Sequence, residues 1–135
     1  MKSKFFVAGV CLVFLLGGIL GCGGSKNNSL APFQPQINNM QDNFQLQATG
    51  VNNVTSTLNY TWQNTGTSAN VNQSCVISAG SATLVILDNN GTQVYSGNLA
   101  SNGTFATSTG VTGNWTIRVT LTNNSGDLNF RAQKP

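Results

Sequence analysis

The stretch NWTIRVTLT, residues 114–122, alternates without a break. Trp115, Ile117, Val119 and Leu121 fall on one side, and Thr116, Arg118, Thr120 and Thr122 on the other. Successive side chains leave an extended backbone on opposite faces, so this period of two marks a strand with one face buried. The same period recurs along the chain from Asp42 onward. NFQLQA sets Phe44, Leu46 and Ala48 opposite Gln45 and Gln47, and TLNYTW sets Leu58, Tyr60 and Trp62 opposite Asn59 and Thr61. VNQSCVI brings Val71, Cys75 and Ile77 together with Gln73 carried on the same face, and DLNFRAQ closes with Leu128, Phe130 and Ala132. Each is expected to be a half-buried antiparallel strand. ATLVILD is apolar on both faces, as a central strand is.

Turn chemistry separates these runs. Asn90-Gly91 supplies the positive φ of a tight hairpin, Gly110 and Gly113 precede the Trp115 strand, and NNSGD is expected to turn the chain into the last strand. No stretch carries a helical period. Short strands at roughly 8–12-residue spacing predict an all-β domain over residues 42–135. The expected architecture is an antiparallel β-sandwich of about seven to eight strands with Greek-key or jelly-roll connections, a closed barrel being the alternative.

The residues before Asp42 have another character. Lys2 and Lys4 precede Phe5–Leu20, an apolar run of 16 residues without a charge. That is short of the roughly 20 residues a helix needs to cross a bilayer, and it ends on a small residue, as a secretory signal peptide does. The tetrad ILGC, Ile19–Cys22, resembles the bacterial lipobox. The resemblance implies cleavage between Gly21 and Cys22 and a diacylglyceryl and N-acyl lipid on the Cys22 sulfur. A thiol is the side chain suited to such alkylation, and two or three acyl chains suffice for stable anchoring. Gly23 stands where Asp would, and the sorting rule of diderm bacteria then implies the outer membrane. Residues 1–21 are thus expected to be a lipoprotein signal peptide. Residues 22–41, rich in Gly, Ser and Asn with Pro32 and Pro35, are expected to be a flexible tether reaching roughly 25 Å. Phe33 and Ile37 are the tether residues suited to docking on the domain's edge, but composition gives no reason to expect it.

Without residues 1–21, Lys26, Arg118, Arg131 and Lys134 face Asp42, Asp88 and Asp127, so the balance falls from +3 to +1. No basic patch remains for a nucleic-acid backbone. Asn, Thr, Ser and Gln make the surface polar instead. Cys11 leaves with the signal and Cys22 takes lipid, so Cys75 stands alone, no intramolecular disulfide is expected, and the thiol reads as a small buried apolar group.

The absence of His and Glu removes Ser-His-Asp and Cys-His catalysis and His-based zinc sites. Paired-carboxylate hydrolysis needs two of the three Asp residues to converge, which nothing in their spacing supports. No catalytic residue, metal or cofactor is expected, and the chain reads as no enzyme. DNNG, Asp88–Gly91, has a faint likeness to a calcium loop but lacks the terminal Glu. Asp127 is the second ligand such a calcium site would need, but Asp88 is expected instead to accept backbone hydrogen bonds in its turn. Trp62, Trp115 and Tyr60 share faces with aliphatic residues and read as core. In TQVYSG, Tyr95 alternates against Val94, so one of the two is expected to face outward. Tyr95, with Asp88 and Asp127, is therefore the candidate ligand-binding set. The Asn-x-Thr triplets at Asn59 and Asn114 read as chance in a chain rich in Asn and Thr.

LVILDNNGTQVYSG followed by GNWTIRVT is similar to segments of small bacterial immunoglobulin-like and jelly-roll accessory domains, a likeness that supports the fold and carries no active residues. The expected function is that of a lipid-anchored protein of the bacterial cell envelope whose β-sandwich is a non-catalytic binding or structural module. A carbohydrate- or peptidoglycan-binding module is the alternative. The expected partners are the membrane, through the lipid, and another envelope protein or a glycan.

Overall fold

A computed structural model describes residues 27–135. A short 3-10 turn, Ala31–Phe33, precedes seven strands: β1 (Gln36–Met40), β2 (Asn43–Asn64), β3 (Asn70–Gln73), β4 (Val76–Leu87), β5 (Gln93–Asn98), β6 (Gly103–Ala106) and β7 (Gly113–Gln133). All ladders between strands are antiparallel. The order β1-β2-β7-β3-β6 has β1 and β6 at its two ends, and β4 lies between β7 and β5. The ends of the order share no ladder, so the sheet stays open and the expected all-β sandwich, with seven strands, is what forms.

Two strands organise everything else. β2 spans 22 residues and pairs with β7 from Asn43↔Gln133 to Asn64↔Gly113. Fully extended, β2 would be about 70 Å long. Yet the amide of Asp42, just before it, donates to the Gln63 carbonyl near its other end at 2.9 Å. The strand must therefore fold back on itself.

The bend lies where the register slips, between Ala48 and Ser56 of β2 and Leu121 and Leu128 of β7. Bulges of this kind let a ladder turn a corner without breaking. Gly50 (φ 64°) and Asn53 (φ 51°) on β2, and Asn123 (φ 44°) and Gly126 (φ 133°) on β7, take the left-handed conformations the corner needs. Gly126 has a second constraint, because a Cβ there would collide with the Val76 carbonyl of β4. NNSGD is thus a bend inside one strand, not the turn between two that its composition predicted. Likewise NFQLQA and TLNYTW are two limbs of β2.

The corner divides the sheet into two layers. In the first, residues 43–48 of β2 and 128–133 of β7 are flanked by β1 on one side and by β3 and β6 on the other. In the second, residues 56–64 and 113–121 are flanked by β4 and β5. The inward faces meet in one core, and rings from the two limbs of β2 touch, Phe44 and Tyr60 having centroids 5.3 Å apart. Trp62 and Trp115 pack edge to face at 5.9 Å and 87°, a favoured geometry for aromatic pairs. Each indole N–H finds a carbonyl, Trp62 on Met40 at 3.0 Å and Trp115 on Val111 at 2.8 Å.

Residues 27–41, expected to be part of a flexible tether, are held to the domain. The Asn27 amide donates to Asn53, the Thr55 amide donates to Asn27, and the two segments run parallel at the corner. Leu30 is 2 % exposed and belongs to the core, and Phe33 packs against it. Gln36–Met40 pair residue for residue with 47–43 of β2. Backbone pairing, which composition does not report, holds this Asn- and Gln-rich segment to the domain.

Candidate functional site

Cys22 and the lipobox lie outside the described residues. The three other candidates, Tyr95, Asp88 and Asp127, lie within them, and the fold does not gather them into one site. Val76 at the start of β4 pairs with Asp127, whereas Asp88 follows Leu87 at its end, so the two carboxylates sit at opposite ends of that strand.

Asp88 does what its turn position predicts. Its Oδ1 accepts the amides of Asn90 and Thr92, each at 2.9 Å, and its Oδ2 accepts that of Val111 at 2.9 Å. The Asp88 amide meanwhile donates to the Thr92 carbonyl at 2.8 Å. The Val111 amide does most to hold the carboxyl below its ordinary value; burial opposes it, and the Thr92 and Asn90 amides add to the lowering. Three N–H donors converge on these oxygens where a calcium loop would direct a cation. The carboxylate staples the β4–β5 turn to the loop before β7.

Asp127 accepts the Gly50 amide at 2.9 Å and braces the corner. Asp42 (φ 66°) joins the two ends of β2, accepting the Thr65 amide at 2.7 Å and the Thr65 hydroxyl at 2.8 Å. The Thr65 amide holds its carboxyl below the usual carboxylate value. Partial burial opposes this, while the Thr65 hydroxyl and the Lys134 ammonium, 3.8 Å from Oδ2, add to the lowering. Each Asp thus receives backbone donors at a different joint of the fold. Among the described residues, no group of three or more His, Cys, Asp or Glu side chains is placed to hold a metal ion.

Tyr95 corrects a step of the sequence reasoning. Strict alternation requires either Val94 or Tyr95 to face outward, yet Val94 is buried and Tyr95 half-buried against the core. A bulge explains both. Ile86 pairs with Tyr95 and the next residue, Leu87, with Gln93, which leaves Val94 as the extra residue on β5. The Tyr95 ring lies back over Gly97, where a Cβ would run into its hydroxyl. That hydroxyl donates to Gln73 Oε1 at 2.6 Å. Gln73 is buried, and its amide nitrogen donates to the Asn98 carbonyl at 3.0 Å and the Ser101 carbonyl at 2.6 Å. The polar residue that VNQSCVI carries on its apolar face is therefore the hub of an internal network, and Tyr95 is one of its members.

Cys75 is buried as expected. Its sulfur lies 3.4 Å from the Asn129 carbonyl and accepts the Asn129 amide at 3.2 Å. Burial pushes the thiol above its ordinary value, more than the contacts with Asn129 and Ser74 lower it. Such a thiol is a poor nucleophile at neutral pH.

One feature escaped sequence reasoning. A shallow depression of about 130 Å³ opens between the 3-10 turn and β2, lined by Gln34, Gln36, Gln47, Ala48 and Thr49. Gln34 adopts φ 49° and ψ 59°, and Gln36 pairs across the ladder with Gln47. The glutamines of QPQ and QLQ are the sequence signal for it, and only the Gln36–Gln47 pairing brings the two motifs together. No protein-family model matches the chain, and no curated protein is similar to it in sequence.

Proposed function

We propose that this chain is a lipid-anchored protein of the bacterial cell envelope whose β-sandwich is a non-catalytic binding or structural module. The observation that carries the reading is the sequence MKSKFFVAGVCLVFLLGGILGC, a basic start and an apolar run ending at ILGC. Support comes from the domain itself. Among the described residues, the apolar core draws on the strands and on Leu30. The non-catalytic part draws support from Asp42, Asp88 and Asp127, each engaged by backbone amides at a separate joint. In a diderm bacterium, Gly23 after the lipidated cysteine favours the outer membrane.

Cys22→Ser tests the anchor. The expected result is a precursor that keeps residues 1–21 and carries no acyl mass by intact mass spectrometry. Processing and membrane retention equal to the unaltered protein would overturn it.

The amide-lined depression favours a second reading, a carbohydrate- or peptidoglycan-binding module. Gln34, Gln36 and Gln47 offer uncharged donors and acceptors, the groups that sugar hydroxyls pair with. Polysaccharide pulldown with Gln36→Ala and Gln47→Ala as controls tests it, and absence of enrichment on any polysaccharide retires it.

A further inference from the structure

Asn27 is held at one end of the sandwich, and Cys22 stands only five residues before it. Asn27 is fastened at the corner by its amide to the Asn53 carbonyl at 3.0 Å, its carbonyl to the Thr55 amide at 3.0 Å and its side-chain amide to the Asn52 carbonyl at 2.9 Å. Leu30, three residues on, is buried in the core and fixes the segment from the other side. Five residue steps span at most about 18 Å at full extension, whatever conformation they take. A free tether of about 20 residues would leave the domain's orientation open, but this length does not.

The geometry points to a defined membrane-facing surface: the corner of the sandwich, residues 49–55, 76–81 and 122–127, lies against the headgroups of the bilayer that holds Cys22. This rests on the lipid anchor proposed above. The chemistry of the surface suits that neighbour. The three segments contain one charged residue, Asp127, engaged by the Gly50 amide, and no Lys or Arg. The same segments carry exposed Asn, Ser and Thr side chains and Val76, which is 62 % exposed. The surface has no basic patch to draw it onto anionic lipid, so proximity comes from chain length and not from charge. Asp42, Asp88, Thr65 and Lys134 lie at the opposite end, which faces away from the membrane. Ser81 and Leu87 are six strand steps apart, about 20 Å.

The test uses the full acylated chain in phosphatidylcholine vesicles containing a lipid with a headgroup nitroxide quencher. A fluorophore is attached at Ser81→Cys near the corner or at Asn90→Cys in the far turn, both of which replace exposed side chains. Acylation blocks Cys22 and burial shields Cys75. The expected result is quenching at least threefold greater at position 81 than at 90. The difference should persist when anionic lipid is added, and collapse when about 20 Gly and Ser residues are inserted after Gly24. Thr122→Cys replaces the corner label if the first variant does not fold. Equal quenching at the two ends in vesicle-bound, acylated protein would overturn the orientation while leaving the anchor intact. So would a difference that the insertion leaves unchanged. Protein that carries no acyl mass and does not float with the vesicles overturns the anchor, and the orientation with it.

Discussion

Replacing Tyr95 by Phe removes one oxygen atom and keeps the ring over Gly97. If Tyr95 were an outward ligand platform, the fold would not notice. In the structure the lost hydroxyl leaves Gln73 Oε1 without its donor inside the domain, while Gln73 keeps its two bonds to the Asn98 and Ser101 carbonyls. An orphaned buried acceptor costs about 1–3 kcal/mol, and the half-exposed position of Tyr95 places this one near about 1–1.5. For a domain of this size that lowers the melting temperature by about 4–10 °C. Gln73→Leu orphans two carbonyls and the tyrosine hydroxyl together, for about 2–4 kcal/mol. The double variant should then cost about 1 kcal/mol less than the two losses added, because the Tyr95–Gln73 bond is broken only once. Urea unfolding followed by tryptophan fluorescence is the assay, since Trp62 and Trp115 are wholly buried and report the core directly. An unchanged midpoint for Tyr95→Phe, or losses that simply add, would refute the network.

Three further predictions follow from the joints of the fold. Gly126→Ala puts a side chain at φ 133° and against the Val76 carbonyl, and should cost about 2–5 kcal/mol by the same unfolding assay, far more than Gly91→Ala in the exposed turn. Asp42 and Asp88 have carboxyl values lowered on folding. Their contribution is present above the unfolded value of about 3.9 and is lost as pH falls through the folded values. With no His in the chain, the urea midpoint should stay flat from pH 8 to 5, drop below about pH 4, and drop less in the Asp42→Asn, Asp88→Asn double variant; a fall between pH 7 and 5 would contradict this. Cys75, buried with its thiol value raised, should resist a disulfide reagent such as Ellman's at pH 8 and react fully in urea.

The inward face of nearly every strand is legible in the period of two. Phe44, Leu46, Trp62, Val71, Trp115, Ile117, Val119, Leu128 and Phe130 are all buried, as alternation requires. Alternation is a property of the extended backbone itself, so it can be read without knowing what a strand pairs with. The turn role of Asp88 is legible for the same reason, its partners at residues 90 and 92 being local.

What tertiary structure decided concerns pairing between distant segments. Gly50, Asn53 and Gly126 look like turn residues, yet they bend β2 and β7 while the ladder between them continues. The extra residue Val94 turns Tyr95 inward only because Ile86 and Leu87 lie opposite. Asn27 and Gln36–Met40 read as tether, but partners at 53–55 and 43–47 make them part of the domain. A polar segment with no apolar face carries no local mark of its partner, since the bonds that hold it come from backbone groups that every sequence shares. Face is therefore written residue by residue, whereas register and corner exist only once two remote strands have met.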